Sequence, residues 1–151
     1  MRLWRIARQP YCLDREGTGA FKHGGRWTPP GVRVLHASAS IALAALEYLV
    51  HVPRPPEDLV LVALDMPDDV PLDRPKVEAL PEDWASPLPS EDCQSWGARW
   101  CREARALAAA VPSVLVVEER NYLVNVTHPR IQDVRLKSLR RFTYDRRLAA
   151  R

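Results

Sequence analysis

Val32-Arg33-Val34-Leu35-His36-Ala37-Ser38-Ala39-Ser40-Ile41-Ala42-Leu43-Ala44-Ala45-Leu46-Glu47-Tyr48-Leu49-Val50 changes period in its middle. From Val32 to His36 the chain alternates, with Val32, Val34 and His36 on one face and Arg33 and Leu35 on the other, which predicts a strand. From Ile41 to Val50 the residues are apolar nearly all round, which predicts a buried helix. Ser38 or Ser40 supplies its cap, and Pro53 lies just beyond its end. Leu59 to Asp65 follows as a nearly continuous apolar run, the pattern of a central strand. Strand, helix and buried strand in succession set the fold class, and Glu47 is the one charge inside the helix.

Upstream, residues 2–7 read as a short alternating strand. Residues 14–31 carry Gly17, Gly19, Gly24, Gly25 and Gly31 and read as a long shaped loop, the kind that often serves function. Downstream, residues 66–92 are rich in proline and acid and read as irregular surface chain. Residues 95–110 predict a helix ended by Pro112. Val114 to Val117, Tyr122 to Val126 and Asp133 to Leu136 predict three further strands. No segment repeats. This order predicts an α+β domain with small mixed β-sheets and flanking helices, not regular βαβ winding.

The 151 residues, 46% hydrophobic and 27% charged, suit one globular domain spanning 1–151. No run approaches the roughly 18 apolar residues of a membrane helix. Met1-Arg2-Leu3-Trp4-Arg5 leads into no apolar segment, so no signal peptide is expected. Cys12, Cys93 and Cys101 are odd in number and form no CxxC pair, which argues against a disulfide framework or zinc site. A reduced, cytoplasmic protein is expected. The net charge of +3 is too small to demand a nucleic-acid partner. Its distribution is uneven, however: residues 130–151 hold seven Arg and one Lys against Asp133 and Asp145, so that about 137–151 form a basic tail.

Glu47 is the sharpest chemical signal. A carboxylate in an apolar helix is costly to bury unless it is paired, or its pKa rises. Either a structural partner satisfies it, or it lies at the floor of a cleft to meet developing positive charge. Arg26 stands in Gly24-Gly25-Arg26-Trp27, where glycines allow close backbone approach and a guanidinium fork suits phosphate or carboxylate. Arg5, on a short apolar strand, must either snorkel out or enter a polar pocket. His36 ends its strand, and Ser113 opens the apolar run after Pro112. Gly17-Thr18-Gly19 has Lys22 where GxGxxG needs glycine, and neither a Walker lysine, HExxH nor GxSxG occurs. The histidines at 23, 36, 51 and 128 do not cluster in sequence, so no metal site is indicated.

Three blocks together resemble the RES domain, the toxin half of bacterial RES–Xre toxin–antitoxin pairs. They are Leu3-Trp4-Arg5-Ile6; then Gly25-Arg26-Trp27 with Val34-Leu35-His36-Ala37-Ser38 and Ala42-Leu43-Ala44-Ala45-Leu46-Glu47; then Val111-Pro112-Ser113 with Glu119-Arg120-Asn121-Tyr122-Leu123-Val124-Asn125 and His128-Pro129. The family's Arg, Glu and Ser match Arg26, Glu47 and Ser113. His36 stands where the family usually has Tyr, and Asn125-Val126-Thr127-His128-Pro129 departs from the usual Asn-Pro-x-His-Pro.

The resemblance implies an ADP-ribosyltransferase-like fold with NAD⁺ as substrate and no permanently bound cofactor. It implies a toxin that cleaves the nicotinamide–ribose bond, as a glycohydrolase or, with inorganic phosphate as co-substrate, a phosphorylase; an alternative is transfer of ADP-ribose to a protein. Glu47, Arg26 and Ser113 would be catalytic, and Arg5, His36, Trp27 and Asn121 would bind substrate. An Xre-type antitoxin would cover the active site in a hetero-oligomer, with DNA reached only through it and no membrane involved. The competing reading is a non-catalytic nucleic-acid or protein-binding module, in which the basic tail binds and Arg26–Glu47 is a structural ion pair.

Overall fold

A computed structural model describes residues 1–148. Seven strands form one mixed sheet: β1 (Arg2–Arg8), β2 (Val34–Ser38), β3 (Leu59–Asp65), β4 (Leu72–Asp73), β5 (Ala108–Pro112), β6 (Arg120–Asn125) and β7 (Arg135–Arg141). Their order is β4-β5-β6-β2-β1-β3-β7, and only the β4–β5 pair is parallel. The small separate sheets expected from sequence are thus joined, but narrowly. β1 matches β3 along its whole length, whereas it meets β2 at one register position, Trp4 opposite Ser38.

Three α-helices complete the fold among the described residues: α1 (Thr18–His23), α2 (Ile41–Leu49) and α3 (Glu91–Glu103). Ser40, not Ser38, caps α2, its Oγ accepting from the Leu43 N–H at 3.1 Å. Ser90 caps α3 in the same way, with Glu91 and Asp92 in the first turn where the helix dipole favours them. One face of the sheet carries a core of Leu3, Leu35, Val62, Leu64 and Val124 to which none of these three helices contributes. A second core gathers around α3, with Cys93 and Trp100 against Ala109, Val111 and Leu123. A third gathers around α2, with Ala44 against Ile6, Leu59 and Leu61.

Several boundaries differ from the sequence reading, each for a physical reason. The loop over 14–31 contains α1. The predicted helix 95–110 stops at Ala104, whose left-handed φ of 47° reverses the chain. Ala108–Pro112 then runs as a fully buried strand, because small alanines let cores press on both its faces. Pro112 ends that strand beyond the reach of β4, where no ladder hydrogen bond is lost on the outer side. Val114–Val117 is a turn, not a strand: the Ser113 Oγ accepts the Leu115 and Val116 N–H groups, both at 3.1 Å, that a ladder would have used. The last strand begins at Arg135 and extends to Arg141 along the free edge of β3, taking up part of the basic tail. Residues 149–151 of that tail lie outside the described residues. Helix α2 is less buried than its composition suggests: only Leu43 and Ala44 are buried, while Leu46 and Val50 are exposed.

Candidate functional site

A cleft of about 940 Å³ opens on the helix-bearing face of the sheet, between α2 and the Gly24–Trp27 turn. Arg5, Arg26, Trp27, His36, Glu47 and Asn121 all line it. Six residues scattered from position 5 to 121 are thereby brought to one concave surface.

Glu47 projects from α2 toward the start of β6. Its Oε1 accepts from the Ser113 Oγ at 2.7 Å and from the Asn121 Nδ2 at 2.5 Å. No hydrogen bond is made by Oε2 within the described residues, and no Arg, Lys or His comes within salt-bridge distance. A structural Arg26–Glu47 ion pair is therefore absent among the described residues. The carboxylate is held by two neutral donors, which fix its position without neutralising its charge. Asn121 in turn accepts from the Ser38 Oγ at 2.7 Å through its Oδ1.

Ser113 is completely buried. It does not line the cleft; its hydroxyl donates to Glu47 and accepts two backbone N–H groups, so it reaches the site only through the carboxylate.

Arg5 carries the most unusual cation. Its Nη1 is buried without a hydrogen-bond partner, and burial lowers its pKa, opposed by the Asp14 carboxylate. A desolvated guanidinium without an ion pair is a strong site for an anion. Arg26 is differently placed: its Nη1 and Nη2 donate to the Trp84 and Pro87 carbonyls, each at 3.1 Å. It thereby ties the proline-rich strap of residues 84–90 to the cleft rim. Trp27 is 4% exposed and packs edge-on against Trp96, with ring centroids 5.3 Å apart, so most of its ring belongs to the core.

His36 lines the cleft and is exposed to the solvent within it. Desolvation by the surrounding walls, then the charges of Arg5 and His51, lower its pKa to about 4. The imidazole is neutral across the physiological range. Gly25 makes room for it, since a Cβ there would approach the ring to 3.3 Å.

Three cleft residues escaped the sequence reading. Ser38 was hidden by ending β2 at His36; extending the alternation Val34, His36 by one step places Ser38 on the same face, opposite Asn121. Tyr48 and His51 also line the cleft, and spacing offered a signal for His51, which follows Glu47 by four residues. No group of three or more His, Cys, Asp or Glu among the described residues is placed to hold a metal.

Comparison with known proteins accords with this architecture. A chain of the M. tuberculosis MbcT–MbcA toxin–antitoxin complex has the same fold, with a TM-score of 0.71 at 18% identity, covering 91% of this chain and 83% of that one. The fold is of the ADP-ribosyltransferase-like class. The RES domain profile matches residues 2–145, and the chain belongs to the RES domain family. Among its relatives, the Prs ADP-ribosylating toxin of Sphingobium sp. strain YBL2 is 36% identical over 96% of this chain and 94% of its own length. Toxin Res of Pseudomonas putida is 34% identical over 98% and 99% of the two chains.

Proposed function

We propose that this protein is the toxin of a toxin–antitoxin pair, acting in the cytoplasm, and that its cleft cleaves the nicotinamide–ribose bond of NAD⁺. The observation that carries this reading is the Glu47 carboxylate, held through one oxygen by Ser113 and Asn121 with no cation against it. A fixed, uncompensated carboxylate suits an oxocarbenium-like transition state, whose positive charge it meets as it develops. The C1′–N bond breaks with its electron pair leaving on nicotinamide, a neutral leaving group that needs no general acid. Water or inorganic phosphate then bonds to C1′ and gives up its proton to solvent.

Glu47 holds the ribose hydroxyls, and Ser113 acts through Glu47. Arg5, half-buried with its Nη1 unpartnered, takes the diphosphate; Arg26 joins it when the 84–90 strap yields. His36 packs on the nicotinamide ring, with the edge of Trp27 behind the Gly24–Gly25 turn. An Xre-type antitoxin covers the cleft in a hetero-oligomer, and DNA is contacted through that partner. The family membership and the toxin names borne by the relatives support this assignment.

The Sphingobium relative favours a second outcome of the same bond cleavage, in which a protein side chain replaces water as nucleophile. The deciding experiment is nicotinamide release by purified protein, with and without phosphate, beside Glu47→Gln. Release that falls at least about 100-fold in Glu47→Gln supports the reading. Phosphate dependence identifies a phosphorylase, and labelling of a protein by NAD⁺ in extract identifies a transferase. Folded, antitoxin-free protein that releases no nicotinamide under any of these conditions refutes it.

A further inference from the structure

We infer that Ser38 and Asn121 are positioning residues that aim Glu47. The inference rests on the NAD⁺ reaction proposed above and concerns how the carboxylate of that site is set. Its basis is a directional chain. The Ser38 hydroxyl donates to the Asn121 Oδ1 at 2.7 Å, and the Asn121 Nδ2 donates to the Glu47 Oε1 at 2.5 Å. Both ends of the Asn121 amide are engaged by protein. One amide N–H and one carbonyl lone pair remain, so it is the direction of the chain, and not saturation of the amide, that ties Asn121 to Glu47.

The register of the sheet makes the chain possible. Ser38 faces Asn121 directly across β2 and β6, the closing pair of that ladder. The same Ser38 stands opposite Trp4 in the one register pair that joins β2 to β1. It therefore sits where the two halves of the sheet meet, 4% exposed, at a point with little freedom to shift.

The Glu47 carboxylate, which can only accept, fixes which way the amide points, and the Ser38 hydroxyl follows. An Asn amide can rotate by half a turn and exchange oxygen for nitrogen with little change in shape. In this site the exchanged orientation would set a carbonyl oxygen against the Glu47 carboxylate. A serine hydroxyl alone could accept from the exchanged amide, so it does not forbid the flip, but donation to Oδ1 leaves Nδ2 for Glu47. Because Ser113 and Asn121 share Oε1, the other oxygen is left for substrate. The chain thus splits the carboxylate into a held oxygen and a working oxygen.

The test uses the full chain and compares Ser38→Ala, Ser38→Thr and Asn121→Asp with wild type and Glu47→Gln. Ser38→Ala should lower kcat for nicotinamide release about 10-fold with KM changed less than twofold, and Ser38→Thr should restore most of it. Asn121→Asp sets a second carboxylate beside Glu47, so the acid limb of the kcat profile should move to higher pH. The other titratable groups lining the cleft, Arg5, Arg26, His36, Tyr48 and His51, are the same in all variants.

Carbon NMR of labelled glutamate follows the Glu47 carboxyl directly and needs no turnover. Its titration should move upward in Asn121→Asp even if the protein proves inactive toward NAD⁺. A raised KM with unchanged kcat would make Asn121 a substrate ligand and overturn the inference. So would an unmoved Glu47 titration in folded Asn121→Asp. Failure of wild type to release nicotinamide would refute the proposed reaction while leaving the NMR result to judge the chain.

Discussion

Gly97 of α3 lies so close to the Trp27 backbone that a Cβ added to it would stand 1.6 Å from the Trp27 carbonyl oxygen. No side chain fits there. The contact seats α3 against the turn that forms one wall of the cleft, so core packing and site geometry share a constraint. A neighbouring tie, the Gln94 Nε2 donating to the Gly25 carbonyl at 2.9 Å, acts in the same direction.

Gly97→Ala should therefore be severely destabilising, since the clash is with backbone and no rotamer relieves it. A loss of about 3 kcal/mol or more is expected, lowering Tm by roughly 6–12 °C in a domain of this size. Alanine would ordinarily stabilise a helix interior by roughly 0.5–1 kcal/mol over glycine, so the sign itself is diagnostic. A thermal melt matching wild type would contradict the packing described.

Arg26 should control the strap over residues 84–90. Its two guanidinium donors hold the Trp84 and Pro87 carbonyls, which a lysine ammonium cannot span in the same planar geometry. Hydrogen exchange of the Trp84, Ala85, Ser86 and Leu88 amides should quicken at least about 10-fold in Arg26→Ala, a change that corresponds to 1.4 kcal/mol of local opening. Arg26→Lys should resemble alanine more than wild type. Unaltered exchange in both variants would show that the strap is held elsewhere.

Ser113→Ala should weaken both stability and the site. The hydroxyl accepts from the Leu115 and Val116 N–H groups and donates to Glu47, all in a fully buried setting. Removing it strands two backbone donors and one of the two bonds to the carboxylate, with an expected loss of about 1–3 kcal/mol. Urea denaturation should show a lower midpoint at unchanged m. A midpoint equal to wild type would mean that water replaces the hydroxyl in full.

Much of this arrangement was legible from residue patterns. The alternation around Val34 and His36, the capped apolar helix and the continuous β3 run located the elements that hold Glu47. Failures came where local and tertiary signals diverge. Ala106 to Ala110 has helix propensity, yet the left-handed turn at Ala104 and burial on both faces make a strand of it. The apolar run Val114–Val117 looks like a strand, but Ser113 competes for its amides. Arg26 was recognised as a fork, while its carbonyl partners lie 58 and 61 residues away, a separation no local pattern reveals. Ser38 could be seen as a partner of Asn121 only once the register of β2 on β6 was known.

His36 should titrate near pH 4, and this bears on both stability and turnover. Its pKa falls from an ordinary 6.5 to about 4, chiefly through desolvation, then through Arg5 and His51. The unfolded chain binds the His36 proton more readily than the folded one does. Folding therefore loses stability as pH drops from about 6.5 toward 4, and the effect is absent above that window. Because the ring opens into the cleft, solvent screening reduces the effect, and the slope is the quantity to read. In His36→Gln the Tm should fall less steeply between pH 6.5 and 4.5 than in wild type. Proton NMR of the His36 ring should give a midpoint well below 6, and one near 6.5 would contradict the assignment. A neutral imidazole also places no like charge against the cationic nicotinamide ring of NAD⁺. Substituting His36 should accordingly leave the shape of the kcat profile above pH 5.5 unchanged, whatever it does to KM.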